Sequence, residues 1–216
     1  MLFSALFSPN WTVYANAGAA TSGRMLLQTV TGGQRSLRAE PGFTAGGGAG
    51  VDLLPRAGFR INYAYAKHNL EFRDDNGTGS SALDLDDIGS MNRNTVSLEG
   101  VTYMFPHEMP VTPYATLGVL GTWWSLNQDG TAIVTAGGET QFTWGALASL
   151  GLQFRLNRSW AMRTEWSGGG LGNPFTGKRS FRATSGVSID EPTRVDFNDY
   201  RFVVAYSFGK KATPMP

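Results

Sequence analysis

The chain has 216 residues, a formal net charge of +1 and no cysteine, so disulfides and thiolate metal sites are excluded and no charge excess points to nucleic acid. Charged residues make up 16% of it, and glycine reaches 28 residues, against about 25% and about 7% in ordinary soluble domains. Mean hydropathy is −0.19 and no apolar run reaches the ~18 residues of a spanning helix, which excludes a helical membrane protein but not a barrel, whose apolar residues hide in alternation.

Met1 to Pro9 has no positive n-region. Ala15-Asn16-Ala17 has the small residues of a signal-peptide cleavage site, but Asn10, Trp11 and Tyr14 interrupt the apolar core that should precede it. Trp11–Ala20 therefore reads as a first strand. The second, Phe43–Leu54, is rich in glycine (Gly46, Gly47, Gly48, Gly50). In the third, Ala57–Phe72, the bulky Phe59, Ile61, Tyr63 and Tyr65 alternate with Arg60, Asn62, Ala64 and Ala66. The fourth is Arg93–Phe105, without clean alternation. The fifth, Thr112–Leu126, sets Ala115, Leu117, Val119, Gly121 and Trp123 against Tyr114, Thr116, Gly118, Leu120 and Thr122. The sixth, Thr140–Leu156, sets Ala146, Ala148, Leu150, Leu152 and Phe154 against Gly145, Leu147, Ser149, Gly151 and Gln153. The seventh is Trp160–Gly168.

The eighth, Tyr200–Phe208, alternates most clearly: Tyr200, Phe202, Val204, Tyr206 and Phe208 on one face, Arg201, Val203, Ala205 and Ser207 on the other. A period of two gives a strand two unlike faces. Aromatics at both ends of the bulky face suit a surface that meets lipid between two interfaces.

Connections alternate in length. Leu54-Pro55-Arg56, Pro106 to Pro110 and Asn157-Arg158-Ser159 are short turns. Intervals 21–42, 73–92, 127–139 and 169–196 are long and rich in Gly, Ser, Thr, Asn and Asp. This asymmetry predicts an all-β, eight-stranded antiparallel up-and-down transmembrane β-barrel in a bacterial outer membrane, with both termini periplasmic. Residues 1–10 form an N-terminal periplasmic segment, 11–209 the barrel and 210–216 a short periplasmic tail. Several strands exceed the 9–11 residues that span a bilayer, and the excess should project beyond the outer leaflet.

The stretches TPYATLGVLGTWW (112–124), GALASLGLQFRLNRSWAMRTEW (145–166) and YRFVVAYSF (200–208) resemble the small outer-membrane β-barrel superfamily. That group includes OmpA-like transmembrane domains, OmpX-type barrels and opacity-type proteins. The resemblance is specific for fold and permissive for function, because such barrels host adhesins, enzymes and passive structural proteins. It implies that Tyr200, Phe202, Val204, Tyr206 and Phe208 form the assembly signal. The family usually ends at the terminal aromatic, whereas here Phe208 is followed by eight residues, Gly209 to Pro216. Outer-membrane lipid and lipopolysaccharide are the implied surroundings, with envelope proteins as possible partners of the loops or tail.

Arg60, Glu99, Arg155, Arg163, Glu165 and Arg201 fall on the face opposite the bulky residues. An eight-stranded barrel is just wide enough for side chains to fill. Charges there must pair, so these six predict a salt-bridged plug, with a gate or narrow ion path as the functional alternative. Trp11, Trp123, Trp124, Trp144, Trp160, Trp166, Tyr200 and Phe208 lie near predicted strand ends and are assigned to aromatic girdles; a ligand-stacking surface is the alternative.

Chemistry is sparse. His68 has no serine in its neighbourhood, and His107 has Glu108 but no serine. Both read as surface histidines rather than parts of a lipid hydrolase, which needs Ser, His and an acid in reach of one another. Asp74, Asp75, Asp84, Asp86 and Asp87 lack calcium-loop spacing and its closing Glu, so they read as a solvated loop. Arg24, Arg35, Arg38, Lys178, Arg179 and Arg182 read as loop charge, with lipopolysaccharide phosphates as the alternative target. Gly46-Gly47-Gly48 and Gly168-Gly169-Gly170 are not phosphate loops, since no Lys-Ser/Thr follows. No enzyme activity, cofactor or metal is expected. The favoured role is structural or surface-interactive, and the alternative is a conduit for hydrophobic compounds. A soluble lipocalin-like barrel is the rival fold and would turn Tyr63, Leu117, Leu150 and Phe202 inward.

Overall fold

The computed structural model describes residues 9–30, 33–74, 85–106, 109–128, 140–174, 188–190 and 192–209. Its strands are β1 (Asn10–Val30), β2 (Gly33–Leu54), β3 (Ala57–Asp74), β4 (Leu85–Tyr103), β5 (Val111–Gln128), β6 (Thr140–Arg155), β7 (Trp160–Gly172), β8 (Ser188–Asp190) and β9 (Arg194–Gly209). All pairings are antiparallel; the long strands pair in chain order, with β9 following β7, and β9 closes on β1, so eight long strands form an up-and-down barrel. Cross-strand partners run Trp11, Val51, Phe59, Gly100, Leu117, Ala148, Gly168, Asn198 and return to β1 at Thr21. One circuit therefore climbs ten residues (21 − 11). Such a stagger goes with strands tilted about 40° to the barrel axis.

Each alternating run puts one set of side chains outside. Tyr200, Phe202 and Val204 are 56%, 44% and 40% exposed, and Leu117 is 73% exposed. Their neighbours Arg201 and Val203 are buried. The lipocalin-like alternative requires the opposite and is excluded. A continuous collar of exposed Leu, Ile, Val, Phe, Tyr and Trp has the character of a lipid-facing surface, not a water-facing one.

The turns at one end are tight. At 157–160 the Asn157 Oδ1 accepts hydrogen bonds from the backbone N–H of Ser159 (2.9 Å) and Trp160 (3.0 Å), an Asx turn that fixes the β6–β7 reversal. At the other end the strands outrun the membrane. The 22 residues of β2 cover roughly 50 Å along the axis at that tilt, about twice an apolar belt of ~25 Å.

Here the structure corrects the sequence expectation. The 21–42 interval is not a loop: β1 and β2 continue as a paired hairpin up to Val30↔Gly33, with breaks in register around Ser22, Arg24 and Ala39–Phe43. Pro41 sits at the last break, where no ladder hydrogen bond is asked of it. Residues 85–92 likewise belong to β4. The short β8 pairs with β1 at Leu27–Thr29. Residues 1–8 and 210–216, and with them the periplasmic segment and tail beyond Gly209, lie outside the described residues.

Candidate functional site

The lumen is divided into two storeys. The lower one, level with the middle of the apolar collar, is polar and charged. Period-two alternation on β3, β4, β7 and β9 turns Arg60, Glu99, Glu165 and Arg201 inward at nearly the same height. Arg60 bridges two strands' carboxylates at once: its Nη2 lies 2.5 Å from Glu99 Oε2 and its Nη1 2.6 Å from Glu165 Oε2. Glu165 Oε1 also lies 3.0 Å from Arg201 Nη2. Hydroxyls complete both acids. Ser97 (2.6 Å) and Thr116 (3.0 Å) donate to Glu99, while Tyr114 (2.8 Å) and Ser167 (3.1 Å) donate to Glu165. Arg201 further donates to the Ser167 hydroxyl.

Below this, Arg163 Nε donates to Gln153 Oε1 at 2.9 Å. The Arg60 and Arg163 guanidinium groups lie 5.9 Å and 5.8 Å from the Tyr114 ring centre, both within reach of its polarisable face. Glycines make room for these rings. A Cβ on Gly151 would sit 2.4 Å from the Tyr114 ring, and one on Gly48 2.5 Å from the Tyr14 hydroxyl. Gly48 and Gly151 are therefore there for close packing. Tyr14 donates to the Ile61 carbonyl (3.1 Å) and Tyr103 to Asp52 (3.3 Å).

Five of the six charges predicted for the lumen thus lie buried in it: Arg60, Glu99, Arg163, Glu165 and Arg201. Arg155 differs. It is half-exposed beside the periplasmic Asn157 turn and joins no described ion pair. The sequence reading missed Arg93 and Asp199, a buried pair with Nη2···Oδ1 of 2.6 Å higher in the lumen. Asp199 immediately precedes the strand recognised as alternating, and Arg93 was the first residue of a strand without clean alternation. Both sat one step outside the readable pattern. Below the β1–β2 extension, where Arg35 is also buried, the described buried ionised groups balance, with Arg60, Arg93, Arg163 and Arg201 against Asp52, Glu99, Glu165 and Asp199. That balance matters because an uncompensated buried charge costs about 3–5 kcal/mol.

The upper storey is apolar. Met25, Leu26, Leu37, Ala39, Leu70, Phe72, Met91, Leu120, Trp124, Leu147, Leu171, Val195 and Phe197 form one buried cluster inside the extension of the barrel. It explains why β1 and β2 continue as strands: their inward residues have a core to enter. Trp124 is a correction. It was assigned to the girdle, but Trp123 and Trp124 are adjacent, so alternation sends one to each face. Trp124 is fully buried, and its Nε1 donates to Thr143 Oγ1 at 2.7 Å. His68 is a second correction. It is buried at the level of Met91, with Nδ1 2.9 Å from the Glu40 carbonyl.

On the outside, Trp11, Trp160, Tyr206 and Phe208 ring the periplasmic end of the collar, with Trp160 and Tyr206 5.0 Å apart. Trp123, Phe142 and Trp144 form the opposite ring, with successive centroids 4.9 Å apart. Trp166 and Tyr200 pair across β7 and β9 in the middle of the collar, not in a girdle, because both strands run further than the sequence suggested. Trp166 keeps its polar N–H occupied by Asn198 Oδ1 at 3.2 Å. The assembly-signal residues Tyr200, Phe202, Val204, Tyr206 and Phe208 all face outward.

Of the remaining candidates, Arg24, Arg35 and Arg38 lie in the β1–β2 hairpin, and Arg35 stacks 4.3 Å from the Phe72 ring. Asp74 ends β3, and Asp86 and Asp87 lie in β4. Asp75, Asp84, His107, Glu108, Lys178, Arg179 and Arg182 lie outside the described residues. Among the described residues no group of three or more His, Asp or Glu side chains is placed to hold a metal ion.

No protein-family model matches the chain, and no curated relative matches its sequence. Solved structures do match its fold. The outer membrane protein OprG of Pseudomonas aeruginosa aligns over 94% of this chain and 98% of its own, with 16% identity and a TM-score of 0.60. The outer membrane protein AlkL, solved in lipid bilayers, aligns over 97% and 94% with 11% identity and a TM-score of 0.52. Neisserial surface protein A aligns over 91% and 97% with 14% identity and a TM-score of 0.51. The chain has the fold of the eight-stranded bacterial outer-membrane barrels. Its apolar collar has the character of the lipid-facing surface that such barrels carry.

Proposed function

We propose that this chain is a closed outer-membrane barrel that anchors a rigid β-built extension outside the cell and acts through that surface, without passing solutes through its lumen. The observation that supports this is the position of Arg60. It ties Glu99 to Glu165 across the lumen at mid-membrane, beneath a close-packed, mainly apolar storey. Water or ions would have to displace both. No catalytic role is part of the proposal. The test is planar-bilayer recording of the purified barrel: no steady conductance is expected, and a large steady conductance would overturn the reading.

A second reading is favoured by the apolar storey itself; an open groove of about 700 Å³ lies lower on the wall, at the level of the charges, lined by Ala17, Leu150, Leu152 and Phe202 and reaching Tyr114, Glu165 and Arg201. An apolar compound could enter the upper storey and, stopped by the charges below, leave sideways into lipid. Fluorescence titration of an apolar naphthylamine probe tests this. Saturable binding that Trp124→Arg abolishes would support a conduit, and partition equal to that of protein-free vesicles would exclude it.

A further inference from the structure

One buried group of the upper storey is out of keeping with its neighbours. His68 of β3 is 1% exposed and stands directly opposite Met91 of β4, a member of the apolar cluster. Its Nδ1 lies 2.9 Å from the Glu40 carbonyl, which can only accept, so Nδ1 carries the proton of the neutral ring. The lone pair is then on Nε2, and Nε2 has no hydrogen-bond partner among the described residues. Arg93 Nε and Nη1 have none there either, so that arginine does not reach the ring. A buried acceptor left unmet costs about 1–3 kcal/mol, and a leucine would fill the position without that cost.

A metal-binding imidazole needs this same arrangement. It donates its other N–H to a backbone carbonyl or a carboxylate, which fixes the tautomer and leaves the free nitrogen for the ion. The side chains that could join it are thioethers. Met91 and Met25 are both 0% exposed and belong to one buried cluster. Met91 is the cross-strand partner of His68, which puts their Cβ atoms about 4.5–5.5 Å apart. Met25 comes from β1, on the far side of the β2 strand whose Glu40 holds the ring. Methionine is unbranched and has three rotatable bonds, so its sulfur can turn toward the ring. Among the described residues the other methionines, Met104, Met109 and Met162, are exposed or half-exposed.

We propose that His68 Nε2 and the thioethers of Met91 and Met25 bind a soft monovalent cation, Cu(I), inside the upper storey. The donor set selects the ion. One imidazole and two thioethers are soft and uncharged, which suits Cu(I), whereas calcium and magnesium call for oxygen ligands and zinc for thiolates, several imidazoles or a carboxylate. Charge selects in the same direction, because a divalent ion among apolar side chains, without a carboxylate, is costlier to bury than a monovalent one. The buried charges that act on His68, Arg93 and Asp199, already pair with each other at 2.6 Å. The site lies above the charged storey and leaves the lumen closed.

The full-length chain carrying His107→Gln, in which His68 is the one histidine left, is refolded in lipid vesicles without oxygen. Cu(I) buffered by bicinchoninate is present throughout, so that the ion can enter before the barrel closes. The expected result is one Cu(I) per barrel, with one nitrogen and two sulfurs in its first shell by X-ray absorption. Met91→Leu and Met25→Leu should each bind roughly ten-fold or more weakly. Met104→Leu, exposed at the periplasmic end, should bind as the parent does, and zinc should not compete. No binding, a first shell without sulfur, or parental affinity in a folded Met91→Leu barrel would each overturn the proposal. Should the methionine variants fail to fold, the nitrogen-15 resonances of His68 in the parent decide. Nε2 must shift on adding Cu(I) while Nδ1 keeps its proton, and an unmoved ring would overturn the site.

Discussion

The two storeys of the lumen solve one packing problem with opposite chemistry. Both must fill a space of the same width, and both are bounded by strands of the same barrel. The lower storey fills it with charge: Glu99 and Glu165 each accept from three or more side chains, and four acids balance four guanidinium groups. The upper storey fills it with Met, Leu, Phe and Trp. The difference follows from what lies outside each wall. At mid-membrane the outer face is already apolar, so an apolar interior as well would leave the strands with no alternation to set their register. Above the membrane the outer face meets water, and the strands revert to the ordinary pattern of apolar inside and polar outside. The chain thus inverts its hydrophobic pattern along single strands. Ala64 and Ala66 of β3 lead up to the buried Leu70 and Phe72, while Phe59, Ile61 and Tyr63 below them face out.

The comparison can be broken first at its most connected residue. Glu165→Ala leaves Arg60 and Arg201 without a shared acceptor and is expected to cost about 3–5 kcal/mol. Urea unfolding of the refolded barrel, read by tryptophan fluorescence, checks this; a loss under 1 kcal/mol would mean that water already screens the lumen. In the upper storey, Leu37→Ala removes a fully buried side chain and is expected to cost about 3 kcal/mol through lost burial and the cavity left behind. Because Glu165 and Leu37 share no described partner, the double variant should add within about 0.5 kcal/mol. Strong coupling in that cycle would show that they are one unit.

On the outer face Val119, 56% exposed at mid-collar, separates membrane from water as solvent. Val119→Arg is expected to cost about 2–4 kcal/mol in a bilayer, measured by the same unfolding in vesicles; a neutral effect would contradict a lipid-facing position. The smallest contrast concerns two glycines. Gly151→Ala drives a methyl to 2.4 Å from the Tyr114 ring and should cost about 1–3 kcal/mol by displacing it. Gly100→Ala, where a Cβ meets nothing closer than 3.9 Å, should change stability by less than about 0.5 kcal/mol.

Much of the lower storey was legible because alternation and charge coincide there. Arg60 and Arg201 each stand between two bulky outward residues, and Arg163 and Glu165 alternate with Met162, Thr164 and Trp166, so the strand period assigns their face. The upper storey was not legible. At Met25, Leu26, Leu37 and Ala39 the pattern changes phase across breaks in register, and the intervening Gly, Ser, Thr and Arg have the composition of loops. Composition could not distinguish a loop from a strand whose partner supplies the reason to be one. The Trp123-Trp124 pair fails for the same reason: two adjacent tryptophans invite a girdle, yet alternation permits only one of them on that face. A stricter use of period two would have sent Trp124 inward and revealed the first member of the apolar core.

The absence of cysteine from the chain makes the filled lumen directly testable. Ser149, 1% exposed, points into the charged storey and bonds Ser167 at 2.9 Å; Leu156, 59% exposed, marks the periplasmic turn. Single Ser149→Cys and Leu156→Cys barrels in lipid vesicles are exposed to a charged, membrane-impermeant thiol reagent from both sides. A closed lumen predicts fast modification at position 156 and none at position 149 until the barrel unfolds. Rapid modification at position 149 in the folded barrel would contradict it.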